Sequence, residues 1–288
     1  MRLSTSTCMY FNRPGGLKAP IPESIRLLSE AGYRVLDMNF HDCAVFETPF
    51  TGERWEYWLE EVLAMKERCG VVFSQGHSHF YNYCDETLAK RPYLEELIRR
   101  GIVAAGRLGI DWLVIHAATD FDSARPFESS RRKALEYFKP LLELAAAHHV
   151  GIAIENLWDL NIAPRHRYTA TAEELADLID RLPYDNVGAC WDVEHASIME
   201  QNQTACLKLL GKRVKATHIS DHNGKENDHL LPFMGVMDWQ EVMQALRGIG
   251  YAGDFTFETH RFTQEIPDAL IPAALRYSRQ VGEYVLTL

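Results

Sequence analysis

Trp112-Leu113-Val114-Ile115-His116 and, further along, Gly151-Ile152-Ala153-Ile154-Glu155 bracket a helical stretch at Ser130–His148. Each flank is an apolar, β-branched run of strand length that ends on a polar side chain, and the segment between them has apolar residues at helical spacing. Strand, helix and strand in that order are the unit of a parallel sheet. Working outward, the same unit recurs along the whole chain. Strands are expected at Leu3–Tyr10, Arg34–Met38, Val71–Ser74, Trp112–His116, Gly151–Glu155, Val187–Asp192, Val214–His218 and Asp254–Glu258. Helices are expected at Pro22–Ala31, Glu53–Cys69, Tyr93–Leu108, Ser130–His148, Ala172–Arg181, Gln203–Leu210, Trp239–Ile249 and Ile266–Val285. Gly32, Gly70, Gly109, Gly151, Gly211 and Gly250 follow six of these helices in the position of a left-handed cap.

Eight strands alternating with eight helices over 288 residues predict a single (β/α)8 TIM barrel occupying residues 1–288. A doubly wound open sheet uses the same alternation, but it calls for a Gly-rich phosphate turn after the first strand. Here that strand runs into Tyr10-Phe11-Asn12-Arg13-Pro14-Gly15-Gly16, which is not GxGxxG.

Composition narrows the function classes. At 47% hydrophobic residues the chain can fill a large core, and a net charge of −10 opposes binding to nucleic acid or to an anionic membrane, so neither partner is expected. Six cysteines without a CxxC pair fit reduced thiols, and no apolar stretch has signal-peptide or spanning length, so a cytoplasmic protein is expected.

In a barrel all strand C-termini open onto one face, where active sites are built. Read off in order, those ends carry Gln75-Gly76-His77-Ser78-His79, His116, Glu155-Asn156, Asp192-Val193-Glu194-His195, His218 and Glu258-Thr259-His260. Any one of these has a bland reading as a polar strand exit or a helix cap. Glu155, Asp192, His218 and Glu258, however, hold equivalent places in four successive units and supply hard oxygen donors plus one imidazole. That set is expected to bind one divalent metal ion, Mn²⁺ first, with Mg²⁺, Co²⁺ or Zn²⁺ as alternatives.

The same residues carry a resemblance. Ile154-Glu155-Asn156, Asp192-Val193-Glu194-His195, Thr217-His218-Ile219-Ser220-Asp221, His229-Leu230-Leu231-Pro232 before Asp238-Trp239, and Phe257-Glu258 resemble the xylose isomerase-like TIM-barrel superfamily over essentially the whole chain. The resemblance implies that Glu155, Asp192, His218 and Glu258 are metal ligands. It further implies that His195 contacts substrate and that His77 and His116 are the family's third- and fourth-strand histidines. The superfamily's Gln-x-His-x-Pro reads Gln75-Gly76-His77-Ser78-His79 here, with His79 in place of the proline.

The activity implied is a metal-dependent isomerase or epimerase of a sugar or sugar phosphate, working through an enediolate. Glu155 and Glu258 would be the acid/base pair and His195 a catalytic hydrogen-bond donor, with His77, His116, His229 and Trp158 binding a small sugar or polyol. Trp191, Phe11 and Tyr10 are further candidates for apolar walls, whereas Trp112 reads as core. Dehydration of a keto-inositol or dehydroshikimate-type substrate is the alternative, sharing the same metal and enolate. An apurinic-site endonuclease comes behind it, because Asn227-Asp228-His229 stands where that branch carries Asp-x-His. Asn223-Gly224-Lys225 is a candidate phosphate turn, and the superfamily's habit of forming dimers or tetramers makes a homo-oligomer possible, with the C-terminal Tyr277, Tyr284 and Leu286 either at its interface or simply covering the barrel.

Overall fold

The computed structural model describes residues 1–159, 166–224 and 226–288. Eight parallel strands, β1 (Arg2–Ser6), β2 (Val35–Asn39), β3 (Val72–His77), β4 (Trp112–His116), β5 (Gly151–Glu155), β6 (Val187–Asp192), β7 (Val214–His218) and β8 (Asp254–Phe257), form a nearly closed barrel. The seam between β7 and β8 is bridged at Ile219 and Phe257. There Ile219 donates its N–H to Thr256 O at 2.9 Å and accepts from Glu258 N at 3.0 Å, which fixes the backbone of Glu258. Helices α1 (Ile21–Glu30), α2 (Phe40–Val45), α3 (Trp55–Cys69), α4 (Arg91–Leu108), α5 (Pro126–Ala147), α6 (Ala172–Arg181), α7 (Val193–Ile198), α8 (Gln203–Leu210), α9 (Trp239–Gly248) and α10 (Ile271–Val285) complete the units.

The strand period of two explains what lies on each side. Leu113, Ile115, Ile152, Ile154, Ala189 and Trp191 belong to the main core between strands and helices. Val114, Ala153, Cys190 and Ala216 form a separate small cluster inside the barrel, backed by Trp112. Two residues on along each of the same strands come His116, Glu155, Asp192 and His218, which therefore project inward as well. Register agrees, since His116 pairs with Glu155, Glu155 with Cys190, Cys190 with Ala216 and Asp192 with His218.

Several boundaries differ from the sequence reading for local reasons. The first strand stops at Ser6 because the Ser6 hydroxyl accepts from Cys8 N at 3.3 Å and turns Thr7–Tyr10 into a 3-10 turn. The third continues to His77 past a register shift opposite Leu36 and Asp37. The fifth-unit helix α5 starts at Pro126, where proline suits the first helical turn, and α10 starts at Ile271 after the short turn Asp268–Leu270. The short helix α2 was not expected at all; Asn39 caps it, its side chain accepting from Asp42 N at 2.8 Å. Helix α7 is equally short and equally unexpected.

Gly109 does end α4 in the left-handed conformation, at φ 75°. Gly151 does not cap α5: it is the first residue of β5, and the positive φ falls on His149 at 58°. A Cβ on Gly151 would stand 2.4 Å from the Trp112 ring, so glycine is there to let the indole lie across β5. Trp112, read as core, is partly exposed at the bottom of the barrel with Lys215 5.7 Å from its ring centre. Gly151→Ala should therefore displace the indole and cost about 1–3 kcal/mol of stability. Denaturant unfolding checks this, and an unchanged midpoint would show that the indole yields freely.

Candidate metal and substrate site

At the C-terminal mouth Glu155, Asp192, His218 and Glu258 offer ligand atoms that all lie within 4.8 Å of one another, and all four are buried. His218 Nδ1 is 2.9 Å from Glu155 Oε1 and 3.5 Å from Glu258 Oε2, so the two glutamates meet on either side of one imidazole. The end of β5 is tied to β6 beyond the last ladder bond. Asn156 Oδ1 accepts from Asp192 N at 2.7 Å, and its Nδ2 donates to Asp192 O at 2.9 Å.

Asp192 divides its carboxylate. Oδ1 caps α7 by accepting from His195 N at 2.8 Å, while Oδ2 is buried with no hydrogen-bond partner and faces the cluster. Burial, reinforced by the charges of Glu155 and Glu258, raises the Asp192 carboxyl well above the ordinary range. Glu155 and Glu258 also suffer burial, but His218 in both cases, helped by His116 at Glu155 and by His260 at Glu258, outweighs it and holds them well below that range. An orphaned buried carboxylate oxygen among three acids is the environment a divalent cation satisfies, and the donor set of three carboxylates and one imidazole fits such an ion.

Above the cluster lies a cavity of about 270 Å³. His77 and His116 reach it from β3 and β4; His116 Nε2 is 2.7 Å from Glu155 Oε2, and His77 Nε2 lies 3.1 Å from His116 Nε2 and 3.3 Å from Glu155 Oε2. His195 places Nδ1 2.9 Å from Asn156 O, so that nitrogen carries the proton and the unpartnered Nε2 is the lone-pair side. Trp158 stacks on the His195 ring at 4.3 Å. His229 sits at φ 51° with Nδ1 3.1 Å from Glu258 O and its N–H 3.1 Å from Glu194 Oε1, contacts that hold an otherwise unfavourable backbone. The structure thus brings His77, His116, His195, His229 and Trp158 to one cavity with Glu155 and Glu258, and sets Asp192 and His218 beneath it.

Burial lowers His195 to about 4, His229 to about 3 and His41 to about 2, and it lowers His116 despite Glu155. Those four imidazoles are neutral, but the rim is not uniformly so: against the pull of burial, Glu155 raises His77, and Cys8 and Asp42 raise His260 well above the ordinary value.

Sequence reasoning missed part of this wall. Asn39, His41 and Asp42 arrive with the unexpected α2, whose Asn39 cap was the available signal. His260 was seen at a strand end but given no role; its Nδ1 is 3.5 Å from Asp42 Oδ2 and its Nε2 3.5 Å from Glu258 Oε1. Phe80, which covers His116 at 4.0 Å and His41 at 4.1 Å, had no signal in the sequence. Of the other proposed aromatic walls, Trp191 is buried against α8 with Nε1 2.9 Å from Gln203 Oε1, and Phe11 and Tyr10 lie in the main core. None of these three lines the cavity, because the strand period and the 3-10 turn aim them elsewhere. Lys225 of the candidate phosphate turn lies outside the described residues.

The loop over the site hangs from two carboxylates. Glu194, pushed up to about 7 by burial, bonds Ser220 Oγ and accepts from Asp228 N at 2.6 Å. Asp221 Oδ1 accepts from His222 N at 2.9 Å and Met237 N at 3.0 Å, and its Oδ2 from Phe233 N and Trp239 Nε1, both at 3.1 Å. Asp221→Asn turns one of those acceptors into a donor facing donors. It should cost about 2–4 kcal/mol and speed amide hydrogen exchange across 230–239; protection equal to that of the parent would show that the loop is held elsewhere.

The sequence model of the xylose isomerase-like TIM barrel family matches residues 25–281. An uncharacterised protein of Sinorhizobium fredii, y4fM, is 31% identical over 167 residues, covering 57% of this chain and 52%, about half, of that relative's own length. The D-psicose 3-epimerase of Enterocloster bolteae is 24% identical over 253 residues, 80% of this chain and 74% of the epimerase. Among solved structures, IolI with a bound zinc atom superposes with a TM-score of 0.79 at 17% identity, covering 100% of this chain and 98% of the other. D-Psicose 3-epimerase of Clostridium cellulolyticum H10 with D-tagatose gives 0.75 at 15% identity and 99% of both chains. At these identities the superpositions speak for the fold.

Proposed function

Given that the chain belongs to the xylose isomerase-like TIM barrel family, we propose that it is a metal-dependent isomerase or epimerase of a ketose sugar or sugar phosphate, acting through an enediolate. The observation that carries the reading is the placement of Glu155 and Glu258. They come from β5 and β8, flank His218, and open into one cavity. Related enzymes named as sugar epimerases support it.

Glu155, Asp192, His218 and Glu258 would hold one divalent ion, Mn²⁺ in the first instance. When bound, that ion polarises a substrate carbonyl and stabilises the negative charge left when a carbon-bound proton departs. The chain's own groups do the rest. One glutamate takes the proton from one face of the carbon and the other returns a proton to the opposite face. Neutral His195, with Nδ1 committed to Asn156 O, presents Nε2 as an acceptor for a substrate hydroxyl. The donor role that the sequence reading gave it needs a second ring proton, which burial opposes. His77, His116 and His229 exchange hydrogen bonds with further hydroxyls, and Trp158 offers an apolar face. A small sugar is thus the proposed partner. Among the described residues no helix is long and apolar enough to cross a membrane, and all six cysteines are unpaired.

Glu155→Gln and Glu258→Gln should each lower solvent deuterium exchange into a ketose panel by roughly 10²–10⁴-fold while circular dichroism stays that of the parent. Exchange that survives both changes would remove the glutamates from the chemistry, and loss of a β-hydroxyl from the substrate would move the enzyme to the dehydratases. Stripping metal with a chelator should lower the thermal midpoint, with recovery on adding Mn²⁺, because the ion binds the folded state alone. A midpoint indifferent to chelator and Mn²⁺ would speak against a metal held by these four residues.

A further inference from the structure

A second cavity of about 190 Å³ adjoins the first, and the two share His116 and Phe80 as their common wall. It is built by the third and fourth strand-end loops: Tyr81 and Asn82 on one side, Ala117, Ala118 and Thr119 on the other, with Arg167 at the edge. The third loop is the one whose sequence departs from the superfamily pattern, and its anchoring shows a made wall. Tyr83 stacks on Tyr137 of α5 at 3.8 Å, Tyr81 OH donates to Glu95 of α4 at 3.2 Å, and Asn82 Oδ1 accepts from Cys84 N at 3.1 Å. The opposite wall is fixed where Thr119 Oγ1 accepts from Tyr168 N at 2.8 Å. Both walls are therefore held in place without a ligand.

Size decides what these two lobes are for. Ligand pockets commonly enclose about 300–1,000 Å³; each lobe alone falls short of that range, and the two joined reach it. The lining decides the chemistry. Aromatic faces alternate with hydroxyl and amide groups, and Arg167 is the only cation among its described lining residues, with its guanidinium already 4.7 Å over the Trp158 ring. That is a surface for a neutral polyhydroxylated ring, with apolar faces to stack on and polar edges to bond, more than for a phosphate.

We propose that the second lobe binds a second sugar residue, so that the preferred substrate is a ketose glycosidically linked to another ring: a keto-disaccharide, reacting in the first lobe while its partner ring lies beyond Phe80. This rests on the reading that the first lobe processes ketoses. Phe80 marks the crossing, lining both lobes with its ring stacked on His116 at 4.0 Å.

The test compares fructose with lactulose, maltulose and isomaltulose on the metal-loaded enzyme, measuring binding by calorimetry and turnover by solvent deuterium exchange. At least one disaccharide should show a kcat/KM tenfold or more above fructose. Ala118→Phe, which fills the second lobe, should remove that advantage through KM while leaving fructose within twofold; Ala118→Leu serves the same purpose if the phenylalanine variant does not fold. Equal kcat/KM for fructose and every disaccharide in the parent, or a filling variant that penalises fructose and disaccharide alike, overturns the second lobe and leaves the ketose reading standing. Disaccharide binding that Ala118→Phe abolishes, with no exchange into any ketose, supports the lobe and overturns the proposed reaction.

Discussion

Glu155 is wholly buried and touches four imidazoles: His116 at 2.7 Å, His218 at 2.9 Å, His77 at 3.3 Å and His195 at 3.4 Å. A carboxylate with no access to water survives as an anion only where neighbouring groups supply compensating charge or hydrogen bonds. The rest of the barrel mouth is arranged around that demand. Asn156 staples β5 to β6 so that Asp192 meets the same cluster, and the bridge at Ile219 brings in Glu258 from across the seam. His218 then stands between two carboxylates that would otherwise repel. Asp192 Oδ2 is left without a hydrogen-bond partner within this set of carboxylates, an environment that a divalent cation would satisfy.

What makes room for such a cluster is the smallness of the residues below it. Ala153, Cys190 and Ala216 fill the barrel axis beneath Glu155, Asp192 and His218 with little volume, and Val114 and Trp112 close the β4 side. The outward residues of the same strands are larger and packed against helices, where burial supplies most of the stability. Strain and polar expense are thus concentrated at one end of the barrel, on a scaffold whose apolar layer lies elsewhere.

The loops contribute differently. The loop after β7 is not packed by apolar side chains so much as suspended from Glu194 and Asp221, whose oxygens accept its backbone N–H groups one by one. The loop after β3 is instead anchored by aromatic stacking on the helix layer, through Tyr83 and Tyr137. One wall of the cavity is therefore polar and centred on carboxylates, and the other aromatic. A ring bearing hydroxyls on its edge and C–H groups on its faces meets a suitable partner on each side.

The alternation of apolar runs with helical stretches was enough to place eight strands, because side-chain period and Gly or Pro punctuation are local properties of a sequence. It was enough to name Glu155, Asp192, His218 and Glu258 too, since in a barrel every strand end points the same way. Tertiary structure alone decided the neighbours. That Asp42 from β2's short helix meets His260 from β8, that Phe80 divides two cavities, and that Asn156 O fixes the His195 tautomer all depend on how far each strand is staggered against the next and on where the loops return. Stagger and loop path are set by packing among residues distant in the chain, so no short stretch of sequence carries them.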